Sequence, residues 1–197
     1  MNEEISFTER YAQLKTPWDS GKVSQELARV LDAGKLKGKT ALEIGCGTGT
    51  NALELSRRGF QVTAVDYVEK PIAEARKKAA VAKLTVNFRV ADVLKEEVGG
   101  PYDILFDRGV YHHLRLVDLK RFQKFVEQVT HAGSWWLSLA GNANEKIEGD
   151  GPPVVAEPEF RAELGPLFDF VEVREFRFTT DQEGFRPLAW SILMRRK

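Results

Sequence analysis

Short apolar runs alternate along most of this chain with stretches whose apolar residues recur every three or four positions. The runs at 41–44, 61–65, 84–90, 102–106 and 134–140 read as strands, and 51–58, 70–83 and 116–129 between them as helices. Over 70–83, Ile72, Ala75, Ala79 and Ala82 share a face; over 116–129, Leu119, Phe122, Phe125, Val126 and Val129 do. Two earlier helices are expected, over 6–14 and 23–31, the latter with a Val23, Leu27, Val30 and Leu31 stripe and Gly34 as its stop. A polar stretch over 141–158 reads as a long loop, of the kind that usually carries function. A short helix over 157–168 then precedes strands at 170–178 and 188–194, with no helix between those two. Strands alternating with helices predict an α/β fold.

The strand at 41–44 breaks into Gly45-Cys46-Gly47-Thr48-Gly49 and then opens a helix near Thr50 and Asn51. Glycines at alternate positions let the backbone turn sharply and approach a ligand, and the unpaired amides of the helix start present a partly positive end. A dinucleotide fingerprint G-x-G-x-x-G would need a small residue where Thr50 stands. Glu43, just before the turn, would also repel a pyrophosphate and suits a ligand with a cationic end. Gly38-Lys39-Thr40 imitates the end of a P-loop, but the first glycine of that motif is replaced by Ala33, and Thr40 leads into a strand rather than a helix.

The arrangement of Glu43, Gly45, Gly47 and Gly49 resembles the first motif of class I S-adenosylmethionine-dependent methyltransferases. The resemblance covers nearly the whole chain. It implies a Rossmann-like, doubly wound seven-stranded sheet, mostly parallel with an antiparallel last strand and helices on both faces. It also implies S-adenosylmethionine as cofactor and S-adenosylhomocysteine as product. Gly45, Cys46, Gly47, Gly49 and Asn51 would then wrap the methionine and ribose portion, with Glu43 supporting the loop from beneath. Asp66 ends the second strand about 20 residues beyond Gly45, the place from which an acid accepts hydrogen bonds from ribose hydroxyls in any adenosine ligand. Tyr67 either covers the adenine or fills its loop. By resemblance Asp92, with Val93 beside it, meets the adenine amino group; its other reading is a helix N-cap. Trp18-Asp19-Ser20-Gly21 resembles a segment that folds over the cofactor in small-molecule branches of the superfamily, and Trp18 otherwise anchors the N-terminal helices on the sheet.

The C-terminal ends of the first four strands open onto one crevice in a doubly wound sheet, so Glu43, Asp66, Asp92 and Asp107 are expected to converge there. Asp107-Arg108-Gly109-Val110 departs from the segment of adenine-N6 methyltransferases, and no cysteine follows this strand as C5-cytosine enzymes need. His112, just beyond, is the candidate general base, because neutral imidazole suits proton removal near pH 7. Zinc ligation by His112, His113 and His131 lacks a supporting spacing, and no metal is expected. Trp135 and Trp136 read as packing residues.

At 197 residues the chain fits one domain, with 1–36 as an N-terminal helical cap and 37–197 as the core. Its 29 basic and 29 acidic residues balance, which disfavours nucleic acid or an anionic membrane surface as partner. No apolar run spans a bilayer, and the acidic Met1-Asn2-Glu3-Glu4 is unlike a signal peptide, so a cytoplasmic protein is expected, as monomer or homodimer. The lone Cys46 makes no internal disulfide. The Gly-Pro-Pro loop and the Trp18 segment resemble the branch that methylates thiols, thiopurines, halides and metalloid oxyanions such as tellurite. A small-molecule acceptor, a thiol or other soft nucleophile, is therefore expected, with O- or N-methylation as the alternative. A nicotinamide-dependent oxidoreductase or a non-catalytic cofactor-binding protein is the alternative of another class.

Overall fold

The computed structural model describes residues 6–145 and 151–197. The acidic start and Gly149-Asp150 of the polar loop lie outside them. Seven strands form a path in the order β3 (Val86–Val90), β2 (Gln61–Asp66), β1 (Thr40–Ile44), β4 (Tyr102–Arg108), β5 (Thr130–Asn142), β8 (Leu188–Arg196), β7 (Phe168–Arg177). β1 to β5 run parallel, and β8 lies antiparallel between β5 and β7. The expected seven-stranded, mostly parallel sheet with a reversed last strand is thus present. An eighth, two-residue strand, β6 (Val154–Val155), pairs with the end of β5 inside the stretch expected to be loop.

Helices cover both faces. α2 (Gln25–Asp32), α3 (Thr50–Arg57) and α4 (Glu69–Ala82) pack Leu27, Val30, Ala52, Leu55, Ile72 and Ala75 onto Ala41, Ala64 and Phe106. On the other face, α5 (Tyr111–Val129) and α6 (Glu157–Leu164) pack Tyr111, Phe122, Phe125 and Phe160 with Leu42, Leu105, Trp136 and Trp190. Trp136 is fully buried, as its packing role requires. The short helix α1 (Phe7–Ala12) is closed at its start by Ser6, whose hydroxyl accepts from the Glu9 amide while the Glu9 carboxylate accepts from Ser6.

Helix α5 begins at Tyr111, five residues before its apolar stripe announces it, and its regular backbone is interrupted at Asp118 (φ −158°, ψ 88°). There the Asp118 carboxylate accepts from the Arg121 amide and restarts the helix. The strand order reverses between β1 and β4, and a crevice opens outside their carboxyl ends at that point.

Candidate functional site

The loop after β1 turns through left-handed glycines. Gly45 has φ +61°, and a Cβ there would sit 2.3 Å from Cγ2 of Val110, so no other residue fits. Gly49, with φ +77°, is the N-cap of α3, and a Cβ on it would lie 2.8 Å from both Ala75 and the Phe88 ring. Between them Cys46 donates its amide to the Val65 carbonyl, and burial pushes its thiol above the usual range, so it is a small, protonated core residue.

Strand register decides which side chains face the crevice. Glu43 stands opposite Ala64 on β2 and Phe106 on β4, so residues two further along, Asp66 and Arg108, share its face. Asp107 stands opposite Ile44 and Ser138 and points to the other face. The expected convergence of four acids is corrected at this residue. Asp107 is fully buried under α5; its Oδ1 accepts from the amides of Val110 (3.2 Å) and Tyr111 (3.0 Å), and its Oδ2 from the Trp136 indole (3.0 Å). Burial raises its carboxyl, against the pull of those donors.

Glu43 is 2% exposed. Its Oε1 accepts a long bond from Asn51 Nδ2 (3.5 Å), while Oε2 has no partner among the described residues. Burial pushes its carboxyl up to about 8, the Asn51 bond opposing and the neighbouring Asp66 adding to the rise. Asn51 in turn accepts the Ser24 amide at 2.9 Å, which ties the start of α2 to the loop. The Asp66 carboxylate accepts from the Gly47 amide (2.9 Å) and the Val68 amide (3.0 Å), and burial outweighs both to raise it.

A cleft of about 450 Å³ lies over this face, lined among others by Tyr11, Trp18, Glu43, Gly45, Asn51 and Arg108. Trp18 lines it, donating its indole N–H to the Tyr11 hydroxyl (3.3 Å) and meeting Phe7 edge-on with centroids 5.3 Å apart. Arg108, absent from the expected site residues, closes one wall. Its Nη1 donates to the Trp18 carbonyl (2.9 Å) and its Nη2 to the Thr179 carbonyl (2.7 Å), with the guanidinium 4.9 Å over the Phe178 ring. Alternation along β4 from Phe106, read against Glu43, is the signal that singles it out.

Tyr67, Asp92 and Val93 stand apart from that cleft, at the neighbouring strand ends. Tyr67 is 52% exposed, its ring 6.4 Å from Phe7. Burial favours a higher Asp92 carboxyl, but an ion pair to Lys95 (2.7 Å) and the Leu94 amide (3.0 Å) bring it below its ordinary value. No helix follows it, so Asp92 caps a turn rather than a helix, and Val93 packs against the α5-side core.

His112, the residue expected to act as base, lies beneath the surface. It is 2% exposed; its Nδ1 accepts the Gly141 amide at 2.7 Å, and its other nitrogen is directed at the Gly109 backbone. Burial, then His113, push its ionisation down to about 3, so the ring is neutral and has no lone pair left for a substrate proton. Imidazole ¹⁵N shifts are expected to stay constant from pH 8 to pH 5; protonation of His112 near pH 6.5 would contradict this assignment.

The methyltransferase domain family matches residues 41–133, from β1 into the start of β5. A 2-heptyl-1-hydroxyquinolin-4(1H)-one methyltransferase of Mycobacteroides abscessus is 26% identical over 175 residues, 87% of this chain and 77% of that one. A ubiquinone biosynthesis O-methyltransferase of Caulobacter vibrioides is 39% identical over 80 residues, 40% of this chain and 32% of the relative, so that match spans about a third of its length. Over 41–133 the chain matches the methyltransferase domain family, and its relatives and structural neighbours are alike methyltransferases of that fold. Two solved structures carry the same fold. One, from work on conversion of a disulfide bond into a thioacetal group during echinomycin biosynthesis, superposes with a TM-score of 0.80 at 22% identity, covering 92% of this chain and 85% of that one. The other is TehB of Haemophilus influenzae, TM-score 0.73 at 22% identity, covering 86% and 62%. A magnesium protoporphyrin IX methyltransferase of Synechocystis PCC 6803, solved with S-adenosylmethionine bound, shares the fold with a TM-score of 0.66 at 18% identity, covering 100% of this chain and 87% of that one.

The cleft fits that cofactor's chemistry. Its ammonium and sulfonium suit a face that holds Glu43 with a free Oε2, and the chain-turning glycines leave the backbone bare beside it. Among the described residues no group of three His, Cys, Asp or Glu side chains could hold a metal, and no helix is long and apolar enough to cross a membrane.

Proposed function

We propose that the chain methylates a small molecule whose attacking atom is a thiol or another soft, readily ionised nucleophile. The carrying observation is the engagement of His112 by two backbone groups, which leaves the acceptor end without an imidazole base. Glu43 lies behind the glycine loop, away from where an acceptor would enter the cleft. Bound S-adenosylmethionine supplies an electrophilic methyl carbon on a cationic sulfur. The chain's own part is alignment, which can account for several kcal/mol. Glu43 and Asn51 brace the glycine loop, Asp66 receives the ribose hydroxyls, and Asp92, Val93 and Tyr67 border the adenine. Trp18 closes the N-terminal cap over the methionine end.

An oxygen acceptor is the second reading, favoured by the hydroxyquinolone and ubiquinone enzymes among the relatives. Methyl transfer measured against thiols, phenols, amines and iodide separates the two: aromatic thiols are expected to lead at pH 7, whereas turnover confined to amines or weakly acidic alcohols contradicts the proposal. Asp66→Ala is expected to weaken S-adenosylhomocysteine binding about 10–100-fold, since its two hydrogen bonds to a ligand contribute roughly 1.5–3 kcal/mol. Calorimetry giving unchanged affinity would remove Asp66 from the ribose contact.

A further inference from the structure

Arg108 is shared by two cleft walls. Beyond it, on the side away from the glycine loop, lies a narrower cleft lined by Lys22, Ser24, Gln25, Arg108, Phe178 and Thr179. No residue of the 45–49 loop lines this second cleft. Its wall is cationic and polar. The nearby Arg177 is neutralised by Glu145 at 2.8 Å, whereas Arg108 has no carboxylate within 4.0 Å among the described residues. Two carbonyls, Trp18 and Thr179, fix the guanidinium fork, and the Phe178 face backs it, so its remaining N–H groups are held in one direction without a counter-ion. A half-buried cation stabilised by dipoles alone is costly unless a ligand completes it.

We propose that this second cleft receives the acceptor's attacking atom as an anion, with the Arg108 guanidinium as the specificity-determining contact. The inference rests on the methyl-transfer reading and narrows its substrate class to ionisable S–H, N–OH or acidic O–H compounds. The charges that bear on the anion are Lys22 and Arg108 in its favour, and Asp19 of the lid and Glu43 of β1 against it. In the reaction an electron pair of the anion forms the bond to the methyl carbon, and the carbon–sulfur bond breaks with its pair left on sulfur. One negative and one positive charge disappear together, and no proton has to be removed at that moment. This accounts for a site in which both nitrogens of His112 are committed elsewhere.

The test uses 4-nitrophenol, whose phenolate is yellow and whose phenol is colourless, added to the full-length protein saturated with S-adenosylhomocysteine. Bound probe is expected to ionise about 1–3 pH units below free probe in the wild type, the effect of an opposite charge in contact. In Arg108→Met, at saturating S-adenosylhomocysteine, this depression should disappear and phenolate affinity should fall at least about tenfold, while Arg108→Lys keeps most of both. The wild-type result needs no variant to fold. Probe that fails to bind the wild-type complex, or that ionises there as in free solution, overturns the proposal. So does an Arg108→Met complex, saturated with S-adenosylhomocysteine, that binds and ionises the probe as the wild type does. Failure of the wild type to bind S-adenosylhomocysteine would instead sink the methyl-transfer reading itself.

Discussion

Asp107→Ala is expected to destabilise the protein by about 3–5 kcal/mol while leaving the folded fraction's affinity for S-adenosylhomocysteine within about threefold of wild type. The substitution strips three donors, the half-buried amide of Val110 and the buried amide of Tyr111 and indole of Trp136, of their acceptor. Each buried donor left unmade costs about 1–3 kcal/mol, and the three share one carboxylate, so their sum is less than additive. The loss would lower the melting temperature by on the order of 10 °C for a chain of this size. Asp107→Asn should fall between, since it keeps one acceptor and sets an N–H group against the indole. Thermal melts combined with calorimetry read both quantities. An unchanged melting temperature with lost ligand affinity would return Asp107 to the crevice and reverse the assignment made from strand register.

Glu43→Gln is expected to stabilise the ligand-free protein and weaken its cofactor binding. Burial raises the Glu43 carboxyl from 4.5 to about 8 in the folded state, so the folded protein holds a proton that the unfolded chain releases. Stability from this group is therefore complete below pH 4.5 and is lost progressively as pH rises to about 8. At about 1.4 kcal/mol per pH unit the span approaches 5 kcal/mol, and local relaxation reduces it to about 2–4 kcal/mol. Glutamine imitates the protonated form at every pH. The variant should therefore flatten this part of the stability profile and exceed wild type at pH 8, while S-adenosylhomocysteine binds about 10-fold more weakly or worse. Denaturant unfolding at pH 5 and pH 8 decides the first half; equal pH dependence in both proteins would show Glu43 already ionised without ligand. A destabilising acid kept beside a ligand cleft is the kind of trade between stability and function that binding sites make.

The sheet was legible because its strands are compact apolar runs separated by amphipathic helices, and the glycine loop because three left-handed positions exclude other residues. Glu43 and Asp66 were legible as acids ending adjacent strands. Asp107 misled for a physical reason: β4 is buried on both faces through Ile104, Leu105 and Phe106, so no polar alternation marks which side its last residues take. The pairing of Phe106 with Glu43 supplies that phase, and pairing is not written in local sequence. It moves the functional interest from Asp107 to Arg108. His112 stood in the right segment, but its partners at Gly141 and Gly109 come from a strand end and a turn that periodicity does not bring together. The early start of α5 was hidden because its first turn is anchored by Asp107 rather than by an apolar stripe. β6 is too short to carry a pattern at all.

One adenosyl ligand seated between the glycine turn, Glu43 and Asp66 underlies every role proposed above. Thermal unfolding with S-adenosylhomocysteine at one hundred times its dissociation constant tests that directly: a gain of about 2.7 kcal/mol is predicted, seen as a rise of roughly 5–10 °C, with no response to NADP. A rise with NADP and none with S-adenosylhomocysteine would contradict it.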